Sequence, residues 1–352
     1  MDTYTGWDLG GAHLKMTRID AQGRLLCVRH IPSPLWEGVE RLDRALDQAL
    51  PECAAGSVHS VTMTGELADV FIDRRAGVTA LVERMQDRWS GARLRIYAGR
   101  GGLLEPERAA AEASNVASAN WHAAASYLAR SCRQGILVDI GSTTSDLVYV
   151  QDGRIAFQGY SDGERLASEE LVYTGVVRTP VMTVVQRVPF NGAWQSLAAE
   201  RFATMLDVHR MSGALGTALE PFLPEVGADG RGLAPVDCAR RLARMLGRDL
   251  QEGTLPVWRQ VACGIGRAQE QRLLEALERL RSRYPDARGA PLVGAGLGRF
   301  LVRRLAAMLD CVYIDFSELV SGPPVLREAA AVCAPATALA YLRQSSDGRA
   351  AH

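Results

Sequence analysis

The chain has 352 residues, 47% hydrophobic and 23% charged, with no low-complexity block, which excludes disordered and fibrous classes and leaves room for two lobes, each with its own core. Forty basic residues cancel forty acidic ones, so no global charge gathers the molecule on nucleic acid or an anionic membrane, and any anion site must be local. Seven scattered cysteines form no C-x-x-C pair, which fits reduced thiols in the cytoplasm better than disulfides or zinc.

The opening "MDTYTGWDLG" carries no basic and apolar leader, and no apolar run reaches the roughly 18 residues of a membrane span; neither secretion nor membrane insertion is expected. The first strand ends in "WDLGGAHLK", residues 7–15, where an aspartate, two glycines and a lysine separate two apolar runs. The same grammar returns in "GILVDIGSTTSDLVYVQDGRI", residues 135–155: at an offset of 131 residues Asp139 falls on Asp8, Gly141 on Gly10 and Asp146 on Lys15. With one residue dropped, "AQGRL" at 21–25 also meets "QDGRI" at 151–155. The unit is strand, glycine turn, strand, turn, strand, and its two copies in register point to a duplication.

Further strands are expected near 57–63, 93–98, 136–140, 145–151, 155–160, 291–295 and 312–315. Helices are expected near 38–50, 77–89, 105–133, 237–250, 257–283 and 297–309, with a terminal helix over 325–343 and a frayed tail over 344–352. Strand and helix alternate, so the class is α/β. The lobes are drawn at 1–134 and 135–324, the terminal helix packing back on the first.

In each turn the glycines let main-chain N–H groups approach a phosphate without side chains in the way. An aspartate beside such a nest repels phosphate unless a cation intervenes, so Asp8 and Asp139 are expected to hold Mg²⁺, directly or through water. Gly10 and Gly11 serve the first turn; Gly141, with the hydroxyls of Ser142, Thr143 and Thr144, serves the second. Each turn runs into a strand, whereas a dinucleotide fingerprint opens a helix, so nicotinamide chemistry is disfavoured. Lys15 is either a solvated strand-edge cation or a phosphate contact. His13 either stabilises the turn or meets substrate as a proton carrier.

Thr64 and Glu66, after a strand, read either as a helix cap with an acidic first turn or as cleft-facing groups, Glu66 then orienting a metal-bound water or accepting a proton. Ser118, Asn120, Trp121 and His122 form a polar and aromatic knot in a helical stretch; buried hydrogen bonding and ring or amine contact are both readings. Asp162 and Glu164 open a helix and can cap it, while Asp162 is also a candidate partner for a substrate ammonium. Arg178, in the apolar run "VYTGVVRTPV", suggests a bound anion or a buried partner. Arg240, Arg241, Arg244 and Arg248 read as a solvated helix face.

Paired D-φ-G turns at the head of two lobes resemble the actin, sugar kinase and Hsp70 ATPase superfamily. That resemblance implies duplicated lobes of the actin-like, ribonuclease H-like ATPase fold with an interlobe cleft. "MTGEL" at 63–67, "VDIGSTTSD" at 138–146, "SDGERL" at 161–166 and "ELVYTGVVRTPV" at 170–181 are similar to the hydantoinase A/oxoprolinase group. "WDLGGAHLK", "PSPLWEGVERLDRAL", "ASANWHA", "DCARRLARMLGRD" and "GAGLGRFLVRRLA" resemble its short members linked to the tetrahydromethanopterin C1-transfer pathway.

This resemblance implies the furan–ether step of methanofuran-type (methylofuran-type) cofactor assembly, in which an aminomethylfuran-methyl diphosphate meets the phenol oxygen of a tyramine or tyrosine unit and releases diphosphate. Mg²⁺ is the one cofactor implied, the partners are the furan diphosphate and the phenolic amine, and homo-oligomerisation stays open. Gly294 and Gly296, before a helix, stand where ATP-using relatives contact nucleotide. ATP-dependent hydrolysis or kinase action is therefore the alternative, and a non-catalytic nucleotide-binding regulator the second.

Overall fold

The computed structural model describes residues 3–53, 57–89 and 93–350. The chain opens with β1 (Thr3–Leu9), β2 (His13–Asp20) and β3 (Leu25–Pro32), an antiparallel meander, then α1 (Glu40–Ala49), β4 (Val58–Met63), α2 (Arg74–Gln86), β5 (Leu94–Tyr97) and β6 (Leu103–Leu104). Two helices, α3 (Ala113–Val116) and α4 (Asn120–Ser131), lead to a second meander of β7 (Gln134–Ile140), β8 (Ser145–Gln151) and β9 (Arg154–Ala156). There follow α5 (Asp162–Ser168), β10 (Leu171–Val172), β11 (Arg187–Phe190), β12 (Ala193–Ser196), α6 (Met205–Ser212), α7 (Pro235–Met245) and the long α8 (Leu255–Arg283). The chain closes with β13 (Leu292–Gly296), α9 (Arg299–Met308), β14 (Tyr313–Asp315), α10 (Pro324–Val332) and α11 (Ala334–Ala350).

The duplication is visible strand by strand. β7 begins and ends 131 residues after β1, and the turn that follows repeats one hydrogen bond: Gly10 N–H donates to the His13 carbonyl at 3.0 Å, and Gly141 N–H to that of Thr144 at 2.9 Å. One sheet runs β3-β2-β1-β4-β5-β6, with β1, β4 and β5 parallel. The other runs β10-β8-β7-β13-β14 with β9 also on β8, so the order meander, first strand, later strand, later strand recurs.

Two compact units are present. The first comprises Met1–Leu137, Val148–Glu164 and Ile314–His352. Its strand β1 is buried on both faces because α11 covers one of them; a Cβ on Gly6 would stand 1.9 Å from the Ala336 carbonyl oxygen, so only glycine lets the alanine-rich helix this close. Trp7, Leu9, Leu14 and Met16 form its opposite core with Leu42 and Leu46 of α1 and Val78, Leu81 and Met85 of α2. The second unit comprises Val138–Leu147 and Arg165–Tyr313. Its α6, α7 and α8 close a separate core around Trp258, Leu242, Met205 and Phe190.

The elements depart from expectation in four places. The helix expected over 105–133 breaks at Ser118, whose φ of 51° is left-handed. The strand expected over 155–160 stops at Ala156 because the Tyr160 and Ser161 N–H groups turn to the Glu164 carboxylate. The terminal helix bends by 105° between α10 and α11, where Pro335 cannot donate to the preceding turn. Where the sequence suggests a tail from 344, α11 continues through Ala350, with Ser345 and Ser346 bonding back to the carbonyls of Tyr341 and Leu342; residues 351–352 lie outside the described residues.

Among the described residues no single helix is long and apolar enough to cross a membrane. Among the described residues no two cysteines form a disulfide. Arg241 does not belong to a solvated face: it is fully buried, held by Asp207 at 2.8 Å and Asp229 at 2.7 Å, because α7 turns it into the second unit's core.

Candidate active site

In the first unit, the C-terminal ends of the parallel strands β1 and β4 put two loops side by side, the usual place for ligand groups in an α/β sheet. Thr64 N–H donates to the Leu9 carbonyl at 3.0 Å, and the Thr64 hydroxyl lies 3.7 Å from where a Gly10 Cβ would stand. Such a Cβ would meet the His13 carbonyl oxygen at 2.8 Å, so Gly10 is required by the turn, whereas one on Gly11 would meet nothing within 4 Å. The Gly11 and Ala12 carbonyls already accept from Leu35 and Ser33.

Asp8 is 1% exposed; its Oδ2 pairs with Lys15 Nζ at 3.2 Å, while Oδ1 is buried with no protein partner. The ladder dictates the pairing, since Asp8 faces Lys15 across β1 and β2, and Lys15 faces His30 across β2 and β3. The His13 and His30 rings stack at 4.2 Å. Burial, followed by the nearby His13 and Lys15, holds the His30 pKa well below the ordinary histidine range. The sheet edge thus gathers an aspartate, a lysine and two imidazoles in one row beside the turn.

Thr64 occupies the cap position of a short 3-10 turn over Gly65–Leu67, yet its hydroxyl makes no capping bond. Glu66 is 1% exposed. Its Oε1 accepts from the Ser118 hydroxyl at 2.9 Å, and Oε2 is buried without a partner. Burial pushes its pKa up to about 7. Gly77 permits this burial, because a Cβ there would meet the Glu66 carbonyl oxygen at 2.5 Å.

Ser118 Oγ also lies 3.1 Å from Asp162 Oδ2, which accepts from Arg74 Nη2 at 2.8 Å. Asp162 is therefore not the cap of α5. Glu164 does that work, accepting from the Tyr160 and Ser161 N–H groups. Asn120 starts α4 half-buried. His122 is the structural member of its knot, its Nδ1 within 2.8 Å of the Tyr97 hydroxyl and 3.2 Å of Ser126 Oγ, with Trp121, Phe157 and Tyr160 packed around it.

In the second unit the residues 174–179 lie across the second glycine turn. Val176 N–H donates to the Gly141 carbonyl at 3.1 Å, and Val177 and Arg178 both donate to that of Ser142, at 3.1 and 2.8 Å. The Thr179 hydroxyl donates to the Thr143 carbonyl at 3.2 Å. A Cβ on Gly175 would come within 2.4 Å of the Ser142–Thr143 backbone. Behind the loop, the Gln269 amide donates to the Gly175 carbonyl and accepts from His209, whose pKa burial pushes down to about 4.

Burial, followed by neighbouring Arg201, lowers the pKa of Arg178. Ser142 Oγ is buried without a partner, and Thr144 closes the turn through its carbonyl. Asp139 is half-buried, and Gly296, at φ 77°, lies so close that its Cβ would stand 2.4 Å from Asp139 Oδ1. Gly294 is required instead by packing against Tyr313, 2.8 Å from a would-be Cβ. Asp146 is bound by the buried Arg165 at 2.7 Å, which ties β8 to α5.

Glu66 and Asp162, singled out separately in the sequence, are thus joined through Ser118. Arg74 and His30 carried no sequence signal, Arg74 being the ordinary residue after the Asp73 cap of α2. Among the described residues no group of three His, Cys, Asp or Glu side chains is disposed to hold a metal.

A meander-led sheet recurs in two units, each with a glycine turn after its first strand, which makes this a duplicated α/β architecture. Residues 57–345 match the hydantoinase/oxoprolinase family model, and the chain belongs to that family. A relative from Methanocaldococcus jannaschii, (4-{4-[2-(gamma-L-glutamylamino)ethyl]phenoxymethyl}furan-2-yl)methanamine synthase, is 30% identical over 69% of this chain and 71% of its own length. A synthase of the same name from Methanococcus vannielii is 38% identical over 21% of this chain and 32% of its own. Among solved structures, a ROK family glucokinase from Streptomyces griseus in complex with glucose and AMPPNP gives a TM-score of 0.48 at 13% identity, covering 97% of this chain and 98% of that one.

Proposed function

We propose that this chain is a transferase of methanofuran-type cofactor assembly. It joins an aminomethylfuran-methyl diphosphate to the phenol oxygen of a tyramine-type or tyrosine-type unit and releases diphosphate. The observation that carries the reading is the 30% identity, over 69% of the chain, to a synthase whose name describes an aryl furfuryl ether. The chemistry suits the residues. A furfuryl carbon bears positive charge well, so the demanding event is departure of diphosphate, which main-chain N–H groups and a nearby cation stabilise.

One feature of the chain favours Mg²⁺ beside the first turn: a hard carboxylate oxygen, Asp8 Oδ1, buried without a protein partner. Mg²⁺ commonly takes one or two carboxylates and keeps its waters, so Asp8 would hold it at the first turn, and Asp139 is the corresponding carboxylate of the second. When bound it neutralises charge on the leaving diphosphate. Gly10 and Gly11 hold phosphate at the first turn, with His13 and Lys15 alongside and Thr64 next to them. Gly141 shapes the second turn, where Ser142, Thr143 and Arg178 offer donors.

The bond between the furfuryl carbon and the diphosphate oxygen breaks with its electron pair going to diphosphate. The phenol oxygen forms the new bond to that carbon and loses its proton. The test is to incubate the purified chain with Mg²⁺, a synthetic aminomethylfuran-methyl diphosphate and tyramine. Diphosphate release that requires both organic substrates and no ATP supports the reading. ATP hydrolysis at enzymatic rates without furan substrate, and no ether, supports the hydrolase or kinase alternative instead.

A further inference from the structure

We propose that Glu66 is the group that takes the phenolic proton during ether formation, and that Ser118, Asp162 and Arg74 form the positioning set that keeps it ready to do so. This rests on the transferase reading above and assigns its base. The argument begins with the single proton of the Ser118 hydroxyl. Two carboxylate oxygens lie within reach of it, Glu66 Oε1 at 2.9 Å and Asp162 Oδ2 at 3.1 Å, and one O–H can serve one of them fully at a time.

Asp162 already has a permanent cation in Arg74 at 2.8 Å. Glu66 has none, and its Oε2 is buried without a hydrogen-bond partner from another residue. A buried oxygen left in that state carries an uncompensated desolvation cost, which a substrate O–H aimed at it removes. Ionised, Glu66 accepts a hydrogen bond from the Ser118 hydroxyl on Oε1 and offers Oε2 to the phenol. Once Oε2 carries the phenolic proton, the Ser118 hydroxyl is free to turn to Asp162, which also accepts from Arg74. The phenol O–H bond breaks, the Glu66 O–H bond forms, and the proton returns to solvent after the ether departs.

The position suits the reaction. Glu66 is two residues beyond Thr64, whose hydroxyl is beside Gly10 in the proposed phosphate turn. Ser118 holds a left-handed φ of 51° between two short helices, which fixes its hydroxyl between the two carboxylates. The charged groups facing Glu66 are Asp162, which opposes its ionisation, and Arg74, which favours it; the Ser118 hydrogen bond also favours it.

The test measures kcat/KM against pH for the wild type and four variants, with melting temperature as the folding control. Glu66→Gln should lower kcat at least 100-fold, as general-base loss does, with Glu66→Asp regaining part of it. Ser118→Ala and Arg74→Gln should move the acid limb of the profile to higher pH and Asp162→Asn to lower pH, opposite displacements that a packing role would not produce. Infrared titration of the carboxyl stretch, with Glu66→Gln as the blank, follows the same group without turnover. Ether formation by the wild type with Glu66→Gln active to within twofold overturns the base assignment alone. Displacements of one sign, or none, overturn the positioning set. Absence of ether from the wild type overturns the transferase reading and this proposal with it.

Discussion

Glu66→Gln tests the electrostatics of the site through stability alone, without any substrate. Glu66 is 1% exposed and its pKa is raised from 4.5 to about 7, chiefly by burial. A raised carboxyl pKa means that between those values the folded chain binds more protons than the unfolded one, so stability falls as pH rises through that window. At roughly 1.4 kcal/mol per tenfold, the full effect is on the order of 3 kcal/mol, of which about 2.5 kcal/mol falls between pH 5 and pH 8. Glutamine matches the shape of the neutral acid and does not titrate. Urea unfolding of both proteins at pH 5, 6, 7 and 8 should show the variant gaining on the wild type by about 2–3 kcal/mol across the series. A difference constant to within about 0.5 kcal/mol would refute the claim that burial raises the pKa of this carboxyl.

Other consequences follow from the same geometry. Gly175→Ala would force a Cβ to within 2.4 Å of the Ser142–Thr143 backbone; overpacking of about 1–3 kcal/mol should weaken calorimetric binding of Mg²⁺–diphosphate about tenfold or more. Arg165→Met should cost about 3–5 kcal/mol in urea unfolding, since it leaves Asp146 buried without its cation. Asp8→Asn and Lys15→Met should be non-additive in a double-mutant cycle by about 1–2 kcal/mol, because each variant alone already breaks the 3.2 Å pair.

The meanders were legible because their signal is local. Glycine turns between alternating apolar residues fix strand, turn and strand together, and β1 and β7 fall at the same 131-residue offset as their sequences. The break at Ser118 was not legible, because an alanine-rich stretch favours helix and its hydrogen-bond partners are 52 and 44 residues away in the chain. The same distance hid the union of Glu66 and Asp162. Each reads alone as an acidic residue in a first turn, and only the fold shows that Glu164 caps α5 and leaves Asp162 to Arg74. Arg241 failed for a related reason: helical spacing gives the face of α7, but Asp207, which pairs with it in the core, is 34 residues away. Pro335 did mark the end of α10, and the continuous apolar composition on both sides masked it.

The central claim is that a phenol oxygen displaces diphosphate at a furfuryl carbon, and oxygen isotope transfer tests it most directly. Tyramine carrying ¹⁸O in its hydroxyl is turned over with the furan diphosphate and Mg²⁺, and both products are weighed by mass spectrometry. The account predicts an ether that retains the label and diphosphate that carries none. Labelled phosphate, or turnover of the diphosphate to a furfuryl alcohol with no ether at any phenol concentration, would contradict it.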